Sequence, residues 1–142
     1  MASLPGGCRL HELDVRGDAR GSLIAVEGGG RELPFDIARV YYIFGTQPGV
    51  ARGFHAHREL RQCAICISGS CVMFLDDGRE QARVTMDRPN LAVELPPLVW
   101  HEMHDFSENC VLMVLASHVY DESDYIRRYE DFVTLVGGGV AS

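Results

Sequence analysis

The chain has 142 residues, the length of one ordinary domain, and its 46% hydrophobic and 23% charged composition suits a folded core rather than a disordered segment. Thirteen basic residues against twenty acidic ones leave a net charge of −7, which argues against nucleic acid or an anionic membrane as partner. Every basic residue is an arginine, which excludes a Schiff-base lysine, the usual attachment of pyridoxal phosphate and a Walker-type phosphate loop.

The longest apolar run, residues 110–116, is far short of the ~20 residues of a membrane span. No basic start leads into an apolar stretch, so a soluble, cytoplasmic protein is expected. A negatively charged substrate would have to be held by arginine, whose planar fork suits phosphate.

Turn signals cut the chain into strand-sized pieces. Asp18-Ala-Arg-Gly21 opens a strand over 22–26, closed by Gly28-Gly-Gly30, and a β-branched and aromatic strand follows over 40–44. After the loop Gly45-Thr-Gln-Pro-Gly49, strands are predicted over 62–67 and 71–75, with Ser68-Gly69 between them. Asp76-Asp-Gly78 reads as a hairpin connection into 81–86, and its two carboxylates as solvated turn residues. Further strands are predicted over 91–95, 99–106 and 110–117. Strands at such short spacing, with no helical stretch between them, imply an all-β sandwich or barrel.

Only the tail looks helical. Asp121 can cap it, and Tyr125, Ile126, Tyr129 and Phe132 recur on one face. Residues 1–142 are read as a single domain with a frayed tail over about 136–142.

The five cysteines are odd in number, and four lie in apolar runs. Cys63-Ala-Ile-Cys66 has a metal-like spacing, but in a strand its two thiols face opposite sides and cannot grip one ion. The cysteines are therefore read as reduced, buried, small hydrophobes.

Six histidines remain: His11, His55, His57, His101, His104 and His118. His55 and His57 are two apart on an extended backbone, so both imidazoles point to one face. Such a pair can hold a metal, or place an acid and a base over one substrate. His104 falls on the opposite strand face from His101 and is read as structural; His11 and His118 are read as surface residues.

The intervals from Gly49 through His55-Ala-His57 and Gln62 to Gly69 resemble the first cupin motif, with Gln62 where metal-binding cupins carry Glu. The second motif is looser: Pro96 fits, Leu98 stands where Gly is usual, and His101 falls at the expected histidine. The resemblance implies a cupin jelly roll with its site in the mouth.

A closer resemblance rests on Arg20-Gly-Ser-Leu-Ile24, Arg39-Val-Tyr-Tyr-Ile-Phe44, Arg52-Gly-Phe-His-Ala-His57, Ser68-Gly-Ser-Cys71, Leu75-Asp-Asp-Gly78, Trp100-His-Glu-Met-His-Asp-Phe-Ser107, Val114-Leu-Ala-Ser117 and Asp124-Tyr-Ile-Arg127. In this order they resemble the sugar 3,4-ketoisomerase family, which acts on dTDP-4-keto-6-deoxyglucose. That resemblance implies a small-molecule substrate, no cofactor, no metal, and a homodimer exchanging N-terminal strands. It implies catalysis by His55, His57 and Tyr41, with Arg20, Arg52, His101 and Trp100 binding substrate. Trp100 is equally well read as a packing residue. Arg20 and His101 match the positions that go with a galacto-configured product, where the gluco-forming branch looks to carry Tyr and Arg.

The chemistry agrees with that role. Moving a carbonyl from C4 to C3 needs a proton taken from C3 and one delivered to C4, and histidine can do both near neutral pH. Two other readings compete. One is a metal-dependent cupin, an oxygenase or isomerase using His55, His57 and His101. The other is a non-catalytic cupin that binds a nucleotide sugar.

Overall fold

The structure, a computed structural model, describes residues 4–30 and 33–137. In chain order the strands are β1 (Arg9–Glu12), β2 (Arg16–Asp18), β3 (Gly21–Leu23), β4 (Arg39–Ile43), β5 (Arg52–His57) and β6 (Gln62–Ser68). Then come β7 (Cys71–Asp76), β8 (Gln81–Met86), β9 (Leu91–Leu95), β10 (Trp100–His104), β11 (Val111–Ala116) and β12 (Tyr125–Ile126), followed by the helix α1 (Tyr129–Gly137). Two five-stranded antiparallel sheets, ordered β1-β9-β6-β11-β4 and β12-β5-β10-β7-β8, form the layers of a jelly roll; β2 and β3 make a separate hairpin. The fold is the all-β cupin architecture with a short C-terminal helix that the motifs imply.

Alternation places the core. Ala64, Cys66, Leu112, Val114, Val93 and Leu95 point inward from one sheet and meet Met73, Leu75, Val84 and Met86 from the other. The strand β6 reads as a continuous apolar run because its outer face is covered too. Cys63 and Ile65 pack there under Leu13, Leu33 and Phe35. Cys63 and Cys66 thus do face opposite sides, and all five cysteines are free and buried.

The strand predicted over 22–26 ends earlier, at Leu23, and pairs with β2. Beyond it Ile24 and Val26 turn down onto the outer face of the first sheet, where burial outweighs further pairing. The tail differs more. Asp121 does cap a turn, accepting from the Ser123 amide, but that turn is a single 3-10 one over Glu122–Asp124. Tyr125 and Ile126 then pair with His57 and Ala56 of β5 instead of continuing a helix. Tertiary pairing overrides the helical periodicity there. Val136 and Gly137, expected to fray, belong to α1, and residues 138–142 lie outside the described part.

Local backbone strain shapes the strand that carries the histidine pair. Gly53 has φ +92°, and a Cβ there would come within 3.0 Å of the His101 carbonyl oxygen and the Met103 methyl. Phe54 follows at φ +61°, and the register of β10 against β5 shifts between His101 and Glu102. A bulge of this kind re-aims side chains at a sheet rim, and here it faces His55 across to His101.

Candidate active site

Three imidazoles meet inside the mouth of the jelly roll. His55 and His57 come from β5 and His101 from β10; the His55 ring centroid lies 4.9 Å from that of His57 and 4.6 Å from that of His101. Each ring turns its Nδ1 to a group that can only accept. His55 Nδ1 donates to the Gly53 carbonyl at 3.1 Å, His101 Nδ1 to the Val99 carbonyl at 3.3 Å, and His57 Nδ1 to Asp124 Oδ2 at 3.1 Å. That assignment leaves every Nε2 with a free lone pair. His57 Nε2 is buried without a hydrogen-bond partner among the described residues.

Burial sets the charge of the cluster. Desolvation pushes all three histidines below their ordinary pKa, His101 to about 3, and the neighbouring imidazoles push His57 and His101 further down. For His57 the Asp124 carboxylate opposes the shift without cancelling it. The resting cluster is neutral, with unprotonated nitrogens ready to accept a proton.

Only His55 of the three lines the larger cavity, an open cleft of about 550 Å³. Its other walls include Tyr41, Arg39, Arg52, Tyr125 and Arg127. A smaller cavity of about 150 Å³ on the other side of Arg39 and Tyr125 reaches His57 and Asp124. His101 sits behind His55 and lines neither.

Tyr41 alternates inward on β4 and accepts a 2.8 Å hydrogen bond from Gln62 Nε2. Its own O–H is thereby free to donate into the cleft. Burial pushes the phenol up to about 12, so it stays a proton donor at neutral pH. Tyr42, as alternation requires, faces outward and is exposed. Arg39 and Arg52 have no carboxylate partner among the described residues, whereas Arg127 is held by Glu122 at 2.7 and 2.8 Å. Arg39 and Arg52 both line this cleft, where an unpaired guanidinium is chemically suited to an anion.

Two predicted substrate residues lie elsewhere. Trp100 is only 3% exposed, donates to Glu102 and packs on Tyr129 and Phe132 under α1, because its neighbour His101 takes the inward face of β10. It is a packing residue. Arg20 sits at the tip of the β2–β3 hairpin, 90% exposed and paired with Asp18, and does not reach the histidines of its own chain. Among the other histidines, His104 pairs with Glu102 on the outer face, as read from the sequence. His11 departs from its surface reading: it is half-buried and bonded to the buried Glu94 at 2.8 Å.

Sequence reasoning gave no separate role at this site to Asp124 or Arg39, and read Gln62 only as the residue in place of a metal cupin's Glu, not as the partner of Tyr41. In the sequence Asp124 stands only as part of the motif Asp124-Tyr-Ile-Arg127; pairing of β12 with β5 brings it under His57, where the Glu59 and Leu60 amides hold its carboxylate.

The FdtA family model, described as WxcM-like, C-terminal, matches residues 6–137. A TDP-4-oxo-6-deoxy-alpha-D-glucose-3,4-oxoisomerase of Aneurinibacillus thermoaerophilus is 54% identical over 115 residues, covering 81% of this chain and 82% of that protein. Crystal structures of the 3,4-ketoisomerase QdtA from Thermoanaerobacterium thermosaccharolyticum superpose closely. One, a double mutant with Tyr→Arg and Arg→His replacements in complex with TDP, is 39% identical with a TM-score of 0.92, covering 98% of this chain and 100% of that one. Another, a His→Asn mutant with TDP-4-keto-6-deoxyglucose, is 37% identical with the same TM-score of 0.92 and the same coverage, 98% and 100%. The chain belongs to the FdtA family of sugar 3,4-ketoisomerases and is an isomerase.

Proposed function

We propose that this isomerase converts dTDP-4-keto-6-deoxyglucose to the galacto-configured dTDP-3-keto-6-deoxy sugar by proton transfer alone. The observation that carries the reading is the neutral histidine cluster opening, through His55, into a cleft walled by Tyr41 and unpaired arginines. His55 takes the proton from C3, and the C3–H electron pair forms an enediolate with its charge on the C4 oxygen. Tyr41 donates to that oxygen, while Gln62 holds the phenol in place. The O3 proton moves to O4, His55, open to the cleft, exchanges its proton with solvent and returns one to C4, and the carbonyl is left at C3. Nothing is oxidised or reduced overall.

Asp124 orients His57, whose ring contacts His55, so the abstracted proton can be shared within the cluster. Arg39 and Arg52 suit the diphosphate of the nucleotide. Five free thiols suit a reducing, cytoplasmic setting.

The galacto configuration rests on Arg20 and His101. They are the same residue types as the two replacements in the QdtA double mutant. The neutral His101 behind His55 puts no fixed charge beside the proton that His55 carries, whereas an arginine there would be a fixed positive charge. For Arg20 to take part, the exposed β2–β3 hairpin has to reach a second copy's cleft, which fits a homodimer exchanging N-terminal strands. Gly28-Gly-Gly30, with Gly29 at φ +75°, is a suitable hinge.

One observation favours a metal reading: ligand atoms of His55, His57 and His101 all lie within 4.8 Å of one another. These three would hold a divalent ion, which would polarise a substrate carbonyl. The fourth position fits poorly, since Gln62 offers a neutral amide, its NH2 turned to Tyr41, in place of a carboxylate. Activity is therefore expected to survive exhaustive chelation. Loss with EDTA and rescue by one divalent ion would establish the metal reading instead. NMR of the product tests the configuration: an axial C4 hydroxyl is expected, and an equatorial one overturns the galacto assignment.

A further inference from the structure

A second cluster of ligand-type side chains lies away from the histidines. Cys66 near the end of β6, Cys71 at the start of β7 and Cys110 just before β11 turn their thiols into one spot, with all three sulfurs within 4.8 Å of one another. Cys66 Sγ and Cys110 Sγ are 3.6 Å apart. None of the three is in a disulfide, and all are buried. Cys66 is four residues along β6 from Gln62, and Cys71 four along β7 from Leu75, the partner of His101. At a strand rise of about 3.3 Å per residue the two clusters are separated by roughly 13 Å.

Filling a core does not call for thiols to converge, and the other two cysteines do not join them. Cys63, on the same strand as Cys66, packs on the opposite face of the sheet. The metal–sulfur bond of a thiolate centre is about 2.3 Å long, which places its sulfurs about 3.8 Å apart. The Cys66–Cys110 separation already meets that spacing, and the third sulfur needs to close by no more than about 1 Å.

The cluster is closed off by two loops rather than by strands. The Ser107 amide donates to the Ser70 carbonyl, the Ser70 amide to Ser107 Oγ and the Ser68 hydroxyl to the Asn109 carbonyl, each at 2.9 Å. These bonds join the end of β6 and the loop after it to the loop before β11.

We propose that Cys66, Cys71 and Cys110 form a thiolate site for one soft, thiophilic cation of the Cu+ or Zn2+ class, separate from the histidine cleft and independent of the ketoisomerase reading. Binding displaces thiol protons into solvent as the sulfurs ionise.

The test uses the full chain, reduced and oxygen-free, in a His101→Asn background that breaks up the imidazole cluster. Zn2+ and, separately, Cu+ are titrated against a competing chelator while sulfur-to-metal charge-transfer absorption is followed for Cu+. One equivalent of at least one ion is expected. Cys66→Ser, Cys71→Ser and Cys110→Ser should each weaken it at least ~10-fold, and Cys63→Ser should not. Because a core substitution can disturb folding, Cys110→Ala provides a second readout: the ion should raise the melting temperature of the parent and leave that of Cys110→Ala unchanged. Absence of stoichiometric binding, or binding unaffected by Cys66→Ser and Cys110→Ser, overturns the proposal.

Discussion

His55 and His57 stand two residues apart on one strand, yet their surroundings separate their parts in the proposed reaction. His55 faces the large cleft, whereas His57 is buried beneath it and tied to Asp124. His55→Asn should therefore lower kcat at least ~10²-fold, the usual size of a lost acid–base group, while the fold persists. A folded variant with near-wild-type turnover would sink the assignment. The pH profile follows from the same burial. Since desolvation holds the histidines below 6.5, the acid limb of kcat/KM should fall below pH 6.5. Asp124 raises the His57 pKa, so Asp124→Asn should lower that pKa further, displace any His57-linked acid limb to still lower pH, and reduce kcat through loss of ring orientation. Stability carries the same sign. Between the unfolded value near 6.5 and the depressed folded values, the unfolded chain binds more protons, so the melting temperature should drop on acidification below pH 6.5. The histidine pair was legible in the sequence because period-two geometry needs no tertiary knowledge. Asp124 was not, because only the pairing of β12 with β5 brings it there.

The elements that hold the site are short and depend on their neighbours. Leu98 stands where the second cupin motif usually has glycine, and its φ of +61° shows what that position asks for. The left-handed conformation costs an L-residue about 1–2 kcal/mol, partly offset by the ~0.5–1 kcal/mol of chain entropy that glycine loses on folding. Leu98 is 38% exposed and its amide bonds to the His57 carbonyl at 2.8 Å, an interaction glycine would keep. Leu98→Gly should therefore be neutral or stabilising, by up to about 1 kcal/mol in chemical denaturation. A clear loss would mean that the leucine side chain holds the turn. Phe132 is the opposite case: fully buried and packed on Trp100 and Tyr129, it anchors α1 to the outer face of the second sheet. Phe132→Ala should cost about 3–5 kcal/mol. Most interior strands were readable from turn residues and alternation, and 81–86 and 91–95 match to the residue. The tail was misread because Tyr125 and Ile126 fit a helical stripe and a strand equally well, and only β5 decides between them.

At the scale of the whole molecule, the first sheet leaves Val40 and Tyr42 of β4 and Phe44 just beyond it exposed, and the six strand residues of the β2–β3 hairpin are all exposed as well. Such a surface suits a second copy. Light scattering should give twice the 15.7 kDa chain mass at micromolar concentration, and a monomer there would count against the exchanged dimer. In that arrangement Arg20→Ala should alter the product or KM, although the residue is remote from the histidines of its own chain. No helix among the described residues is long and apolar enough to cross a membrane. The fold and the His55–His57 pair could be read from one chain because both are local patterns, whereas the place proposed for Arg20, in a second copy's cleft, is not a local pattern. The central claim, that this cluster moves a carbonyl by proton transfer, is tested most directly in deuterated water. Metal-depleted enzyme is incubated with dTDP-4-keto-6-deoxyglucose and the product is examined by NMR. A 3-keto sugar carrying deuterium at C4 is the predicted result. Recovery of the 4-keto substrate, unisomerised and undeuterated, would contradict it.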